Sequence, residues 1–362
     1  MSDLAYWVAF NRVPGVGPIR LRLLLDFFDD DIKAAWEANP SQFIQAGLDR
    51  RTVNSITKNR PKINLDREMA LIDQHNVQVL TWNDLDYPKL LRELSAPPPV
   101  LYVRGELLSD DEWAVAVVGT RKMSAYGRRA TEMLVSGLTD AGLTIISGLA
   151  LGVDGVAHHA ALRAGGRTIA VLANGVEKPY PATHRNMAEA IISQEQGALI
   201  SDYPIGTRPE ARNFPPRNRI ISGLSLGVII VEAGERSGAL ITARFATDQN
   251  REVMAVPGSI FSATSKGPNQ LIAQGATPVL SVKAVLDSLD MQMVEPQKVV
   301  RQVIATTPTE EQVLNELSSD PRHIDEIAQH CTLSSAELSS TLSLLELKGI
   351  VRQVGAMSYV RV

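Results

Sequence analysis

The chain has 362 residues, 44% of them hydrophobic, with 36 lysines and arginines against 40 acids and a formal charge of −4. This length and apolar content suit two or three domains with sizeable cores, while the slight acidity means that a polyanion must be held by a local patch rather than by the global field. One cysteine, Cys331, excludes a disulfide framework and a cysteine-rich metal site; Met1-Ser-Asp-Leu-Ala-Tyr-Trp has no basic n-region and no apolar run approaches the ~20 residues that span a bilayer, so a soluble cytoplasmic protein without membrane insertion is expected.

Residues 4 to about 80 read as helical, and 1–85 form an expected N-terminal helical domain. Helical apolar spacing in Leu4–Phe10 and Leu21–Phe28 brackets Val13-Pro-Gly-Val-Gly-Pro. A Gly-x-Gly turn between helices can aim backbone N–H groups at a phosphate, as in helix-hairpin-helix (SAM-like) DNA binders. Few basic residues follow, and Asp26, Asp29, Asp30 and Asp31 come soon after, so a plain inter-helix turn is the better reading. Pro97-Pro-Pro then marks a boundary, because three prolines stiffen the chain and forbid helix.

Within 86–290, short apolar runs alternate with helical patterns. The expected strands are Ala114–Val118, Leu143–Ser147, Thr168–Ala173, Ala198–Ser201, Val228–Glu232 and Val253–Val256, with Thr277–Ser281 as an edge strand because it contains Pro278. The expected helices are Ser124–Ala141, Val153–Ala164, His184–Gln194, Gly238–Asn250 and Asn269–Gln274. Continuous rather than alternating apolar strands predict a mostly parallel, doubly wound, Rossmann-like α/β sheet.

Ligands gather at the strand ends of such sheets. Those junctions read Gly119-Thr-Arg121, Ser147-Gly-Leu-Ala through Asp154 to His158, Asn174-Gly, Phe214-Pro-Pro-Arg-Asn-Arg, and Glu232-Ala-Gly-Glu-Arg-Ser237-Gly238. Four arginines stand between Gly206 and Ser222 against one acid, Glu210. Guanidinium groups beside the Phe214 ring suit single-stranded nucleic acid: cations for phosphates and a π-face for an unstacked base. Arg121 stands where a second glycine would let pyrophosphate approach, so no dinucleotide cofactor is expected. His158 and His159 lack further ligands at metal spacing, which leaves Asp154 as a cap with His158 packed nearby. Glu232 and Glu235 could serve as the acid and base of a nucleotide or phosphoribosyl hydrolase, but no nucleophile accompanies them, so catalysis is not expected.

A polar linker, 291–306, precedes a compact tail, 307–362. Thr307-Pro-Thr-Glu310 and Ser334-Ser-Ala-Glu337 are capping boxes for a first and a third helix, with His323–His330 between them. Ile350–Val354 and Met357–Val362 then form a hairpin about Gly355-Ala, and the whole describes a winged helix. Residues 305–362 carry four bases against eight acids, and the third helix holds no arginine. Phosphate neutralisation dominates DNA affinity, so this unit is expected to contact protein rather than duplex DNA. A winged-helix transcription regulator with a sensory Rossmann domain is the remaining alternative.

Between residues 86 and 280 the motifs closely resemble the DNA-processing protein A (DprA/Smf) family. The resemblance rests on Tyr87-Pro-Lys-Leu-Leu, Pro98-Pro-Val-Leu-Tyr, Val118-Gly-Thr-Arg with Tyr126-Gly127, and Ser147-Gly-Leu-Ala with Asp154 and His158. It continues through Tyr180-Pro181, Phe214-Pro-Pro-Arg-Asn-Arg-Ile-Ile, Ser237-Gly-Ala-Leu-Ile-Thr, Ala255-Val-Pro-Gly and Asn269-Gln-Leu-Ile. It implies a non-catalytic, homodimeric protein that binds incoming single-stranded DNA during natural transformation. It also implies that the protein recruits the RecA recombinase onto strands coated by single-strand-binding protein. On this resemblance Arg121 clamps a phosphate, Phe214 stacks on a base, and Arg217 and Arg219 shape the pocket, with Gly119, Asn218, Ser237 and Gly238 completing it. Many relatives carry lysines where this chain has Ala182 and Ala211, so Arg185 and Arg212 are the expected substitutes; many also have glycine at the position of Asn174.

Overall fold

A computed structural model of the chain describes residues 3–193, 196–291, 308–317, 322–331, 333–347, 351–353 and 357–361. It falls into two compact units, Met1–Val294 and Glu295–Val362. The first is built on nine strands: β1 (Gln78–Thr81), β2 (Val100–Gly105), β3 (Ala114–Val118), β4 (Thr144–Ser147), β5 (Thr168–Val171), β6 (Gly197–Ser201), β7 (Gly227–Ile230), β8 (Glu252–Ala255) and β9 (Thr277–Pro278). Their order across the sheet is β1-β2-β6-β5-β4-β3-β7-β8-β9. Across the sheet from β6 to β9 every pairing is parallel; the β1–β2 and β2–β6 pairings are antiparallel, so β2 alone runs against the other strands.

The continuous apolar runs account for this arrangement. All five residues of β3 are buried. Ala114, Ala116 and Val118 enter one core cluster, and Val115 and Val117 enter another. A strand with apolar side chains on both faces needs cover on both. Leu134, Val135 and Leu138 of helix Ala125–Asp140, with Ala157, Ala160 and Ala161 of helix Val153–Arg163, belong to the second cluster. The strand order reverses between β3 and β7, and at such a switch the loops leaving the carboxyl ends diverge and open a crevice.

Sequence and structure part at three places. Residues 78–81, read as helical, form β1 and pair with Val100–Val103 of β2. The proline-rich boundary leads directly into β2 and is anchored: the buried Tyr87 hydroxyl donates to the Pro98 carbonyl at 2.8 Å. Phe214–Gly223, the most distinctive stretch of the sequence, is a helix whose prolines occupy its first turn, where missing N–H groups carry no penalty. Ahead of the sheet, the Gly-x-Gly turn closes on its own neighbours, with Arg20 donating to the Gly15 carbonyl and Ser55 to that of Pro14. Trp7, Phe10 and Leu24 of the leading helices share a core cluster with Leu101 and Tyr102 of β2.

The second unit has helices Pro308–Asn315, Ile324–His330 and Ser335–Leu347, with strands β10 (Arg322–His323), β11 (Val351–Gln353) and β12 (Ser358–Arg361) in the order β10-β12-β11. Ser334 and Glu337 form the expected capping box, hydroxyl to carboxylate at 2.7 Å. Val313, Ile327, Leu338, Leu342 and Tyr359 fill its core. Linker residues 292–306, Thr307 and the Gly355-Ala turn lie outside the described residues.

Candidate nucleic-acid interface

At the β3/β7 switch lies a cleft of about 320 Å³, lined among others by Gly119, Arg121, Phe214, Arg217, Asn218, Ser237 and Gly238. Seven residues singled out from separate stretches of sequence therefore share one cavity. Phe214 is its centre. The Arg121 guanidinium carbon lies 5.1 Å from the Phe214 ring centroid, and that of Arg217 lies 5.7 Å from it. Tyr180 meets the same ring at 6.1 Å with the planes at 65°. Helices Phe214–Gly223 and Gly238–Asp248 both begin here, the second capped by the Ser237 hydroxyl, which accepts from the Ala239 N–H at 3.4 Å. Helix N-termini and guanidinium groups together favour an anion.

The two arginines differ in kind. Arg121 is exposed, and among the described residues no carboxylate pairs with it. Arg217 is only 3% exposed. Its Nη1 donates to the Gly148 carbonyl at 2.8 Å and also to the Val171 carbonyl. Burial pulls its pKa down to about 10, with the nearby Asp154 charge opposing the fall. Burial in turn raises the Asp154 carboxyl pKa, while Arg217 and backbone N–H groups of Ala150, Gly148 and Gly119 work against that rise. Arg217 thus braces the cleft from beneath, and Arg121 offers it a free cation.

The loop after β4 fits around this guanidinium. A Cβ at Gly148 would lie 2.7 Å from Arg217 Nη2, and one at Gly152, whose φ is +81°, would collide with the Thr120 carbonyl oxygen. Leu149 between them adopts φ +56°. Its N–H donates to His158 Nε2 at 3.3 Å, and His158 Nδ1 meets the Thr168 hydroxyl at 2.7 Å. Because that hydroxyl donates to the Ile145 carbonyl, His158 must donate to it. Burial drives the His158 pKa down to about 3, so this is a neutral core histidine. Asp154 is not the cap of its helix; Gly152 holds that position, and Asp154 accepts from the Gly148 N–H at 3.1 Å.

Three expected site residues stand elsewhere. Arg219 lies two positions beyond Arg217, and residues so spaced on a helix do not share a face. It donates to the Ala96 carbonyl at 2.6 Å and pairs with Asp202 at 3.2 Å, fastening the proline-rich segment rather than lining the cleft. Arg212 is 81% exposed and pairs with Glu210 at 2.8 Å. Arg185 is exposed at the start of helix Arg185–Ser193, outside the cleft lining. Two contributors had no strong signal in sequence: Ala150 and Thr242, small residues on the cleft wall. Asn174 has a local task, since its side-chain amide donates to the carbonyls of Gly175 and Lys178, at 2.9 and 2.8 Å, and ties that turn together.

Glu232 is buried, and its carboxylate accepts from the Ser124 N–H at 2.8 Å, the Ser124 hydroxyl at 2.7 Å and the Thr264 hydroxyl at 2.9 Å. Glu235 is exposed and pairs with Lys266 at 3.2 Å. Glu232→Gln should therefore lower the melting temperature, since the charge-assisted bonds are lost and the amide nitrogen must face either the Ser124 N–H or the two hydroxyls that now donate, at an expected loss of about 1–3 kcal/mol. Thermal denaturation followed by circular dichroism checks this.

A doubly wound sheet that gathers guanidinium groups, a ring and two helix N-termini at its switch point belongs to the Rossmann-like class, and that is where such sheets take their ligands. The chain belongs to the DNA recombination-mediator protein A family, whose model matches residues 78–290, and a DprA winged helix domain matches residues 297–357. It is 36% identical to protein Smf of Synechocystis, over 99% of both chains, and 40% identical to protein Smf of Escherichia coli, over 75% of this chain and 74% of that one. The X-ray structure of DNA processing protein A from Streptococcus pneumoniae superposes with a TM-score of 0.69 at 32% identity, covering 79% of this chain and 98% of that one. A DNA processing protein A structure from Helicobacter pylori, described for its single-stranded DNA binding mode, matches with a TM-score of 0.53 at 28% identity, over 60% and 99% of the two chains. The family places the chain among DNA recombination mediators. Among the described residues no helix is long and apolar enough to cross a membrane.

Proposed function

We propose that the protein binds single-stranded DNA in the β3/β7 cleft and acts by binding rather than turnover. The observation that carries this reading is the pair of guanidinium groups held over one aromatic ring at the rim of the sheet. A base laid on the accessible face of Phe214 would send its phosphate toward Arg121 and the N-terminus of helix Gly238–Asp248. The cleft is too small for a duplex, whereas a single nucleotide splayed from an unpaired strand matches its size. As a cytoplasmic recombination mediator it would protect incoming strands and, as a homodimer, bring two of them together. It would also load RecA onto strands coated by single-strand-binding protein. Residues 86–290 would carry the DNA site. The acidic winged helix, 307–362, would serve protein contacts.

The test is a fluorescence-anisotropy titration of single-stranded against double-stranded oligonucleotides over a salt series. Single strands should bind more tightly, with log K falling by about 0.7 per neutralised phosphate against log[salt]. Phe214→Ala should weaken single-strand binding by about 1–3 kcal/mol, the usual worth of one stacked base, with little change in salt slope. A flat salt response, or full affinity without the ring, would reject this assignment.

A further inference from the structure

The loop after β4 is a wall between two depressions. Ala150 faces the cleft, whereas Leu151 and Gly152 line a second groove of about 560 Å³. The turn after β3 divides in the same way, with Arg121 on the cleft and Met123 on the groove. The cleft and the groove thus adjoin along these two loops, with Arg121 and Met123 two residues apart in the chain.

Its lining combines charge, hydrogen-bonding groups and apolar surface. Arg128 and Asn186 are exposed there, and His159 stands one helical turn from Gly155. The His184 ring lies against Gly155, where a Cβ would come within 2.5 Å of the ring carbon Cε1. Its Nδ1 meets the Leu149 carbonyl at 2.9 Å and must donate to it, which leaves Nε2 available for a further hydrogen bond. Leu151 is 47% exposed beside Met123 and Met187. The carboxylate present, Glu132, is 4.0 Å from Arg128, at the limit of an ion pair, and such exposed pairs are weak enough for the guanidinium to exchange this partner for a phosphate.

Resting on the single-strand reading above, we infer that this groove is a second DNA subsite, taking the nucleotides that follow the one held on Phe214. Arg128 receives a phosphate, His184 and Asn186 hydrogen-bond to sugar or base edges, and the Leu151 surface supports a base. Arg185, flanked by the groove residues His184 and Asn186, adds its charge at this end of the path rather than in the cleft.

The test uses oligothymidylates of about 6 and about 20 nucleotides, chosen against the ~4–16 nucleotides that single-strand sites occupy on OB folds. Arg128→Glu combined with His159→Ala, and separately Asn186→Asp, place the changes on exposed positions, and a thermal melt confirms folding. Each should weaken binding of the long probe roughly 5–10-fold at low salt and leave the short one unchanged. The salt slope of the long probe should fall by about 0.7 for each phosphate that the variant no longer neutralises. Unaltered affinity for the long probe would overturn the subsite, and so would equal weakening on both lengths, because the groove would then act only through the cleft. Arg121→Ala serves as the separate control: if it spares both lengths, the single-strand reading itself fails, whatever the groove variants do.

Discussion

Arg217→Ala is expected to unfold the site rather than merely discharge it. The side chain is buried and donates to the carbonyls of Gly148 and Val171, so its removal strands two buried acceptors and takes the compensating cation away from Asp154. Breaking a buried, hydrogen-bonded charge arrangement from one side typically costs about 3–5 kcal/mol. That should lower the melting temperature by about 10 °C in calorimetry, together with loss of oligonucleotide binding. Arg217→Lys should recover only part of both, because an ammonium group on a flexible stem lacks the planar fork that reaches two carbonyls. A variant that binds poorly but melts like the parent would show that the bracing role is wrong.

Arg121→Ala should give the opposite pattern. This guanidinium is exposed, stands 5.1 Å from the Phe214 ring centroid and has no carboxylate partner among the described residues. Its removal should leave the melt within ordinary surface-mutation limits, about 0.5 kcal/mol. A charge-assisted hydrogen bond to phosphate contributes about 1.5–3 kcal/mol, so affinity should fall by about 10–100-fold. The two arginines that flank one ring are thus separable by a single pair of measurements, stability and affinity.

The contrast marks what the sequence could disclose. The positions of β3 to β9 were legible because continuous apolar runs are local signals, and Pro278 correctly marked β9 as an edge, whereas β1, β2 and the helix from Phe214 were not. The cleft was legible because strand-end loops converge by topology, whatever their separation along the chain. Which arginine faces which way was not. Arg217 and Arg219 look alike in sequence, yet a helix begins at Phe214 and turns one toward Gly148 and the other toward Ala96. Nor could charge alone show that Arg212 is engaged by Glu210. The groove beyond the β4 loop was invisible for the same reason, since Arg128, His159 and His184 come from three elements that meet only in space.

The antiparallel ribbon of β1 and β2 has a consequence for how this fold could have been assembled. The family match begins at Gln78, the first residue of β1, so the shared unit carries its own outermost strand. Without that strand, β2 would present a row of bare amides and carbonyls, an invitation to stray β-addition by other chains. The helices ahead of Gln78 lie outside that match yet pack into the same core as β2, so a recombination junction in this gene that falls between Gln78 and Gly105 should yield a sticky product.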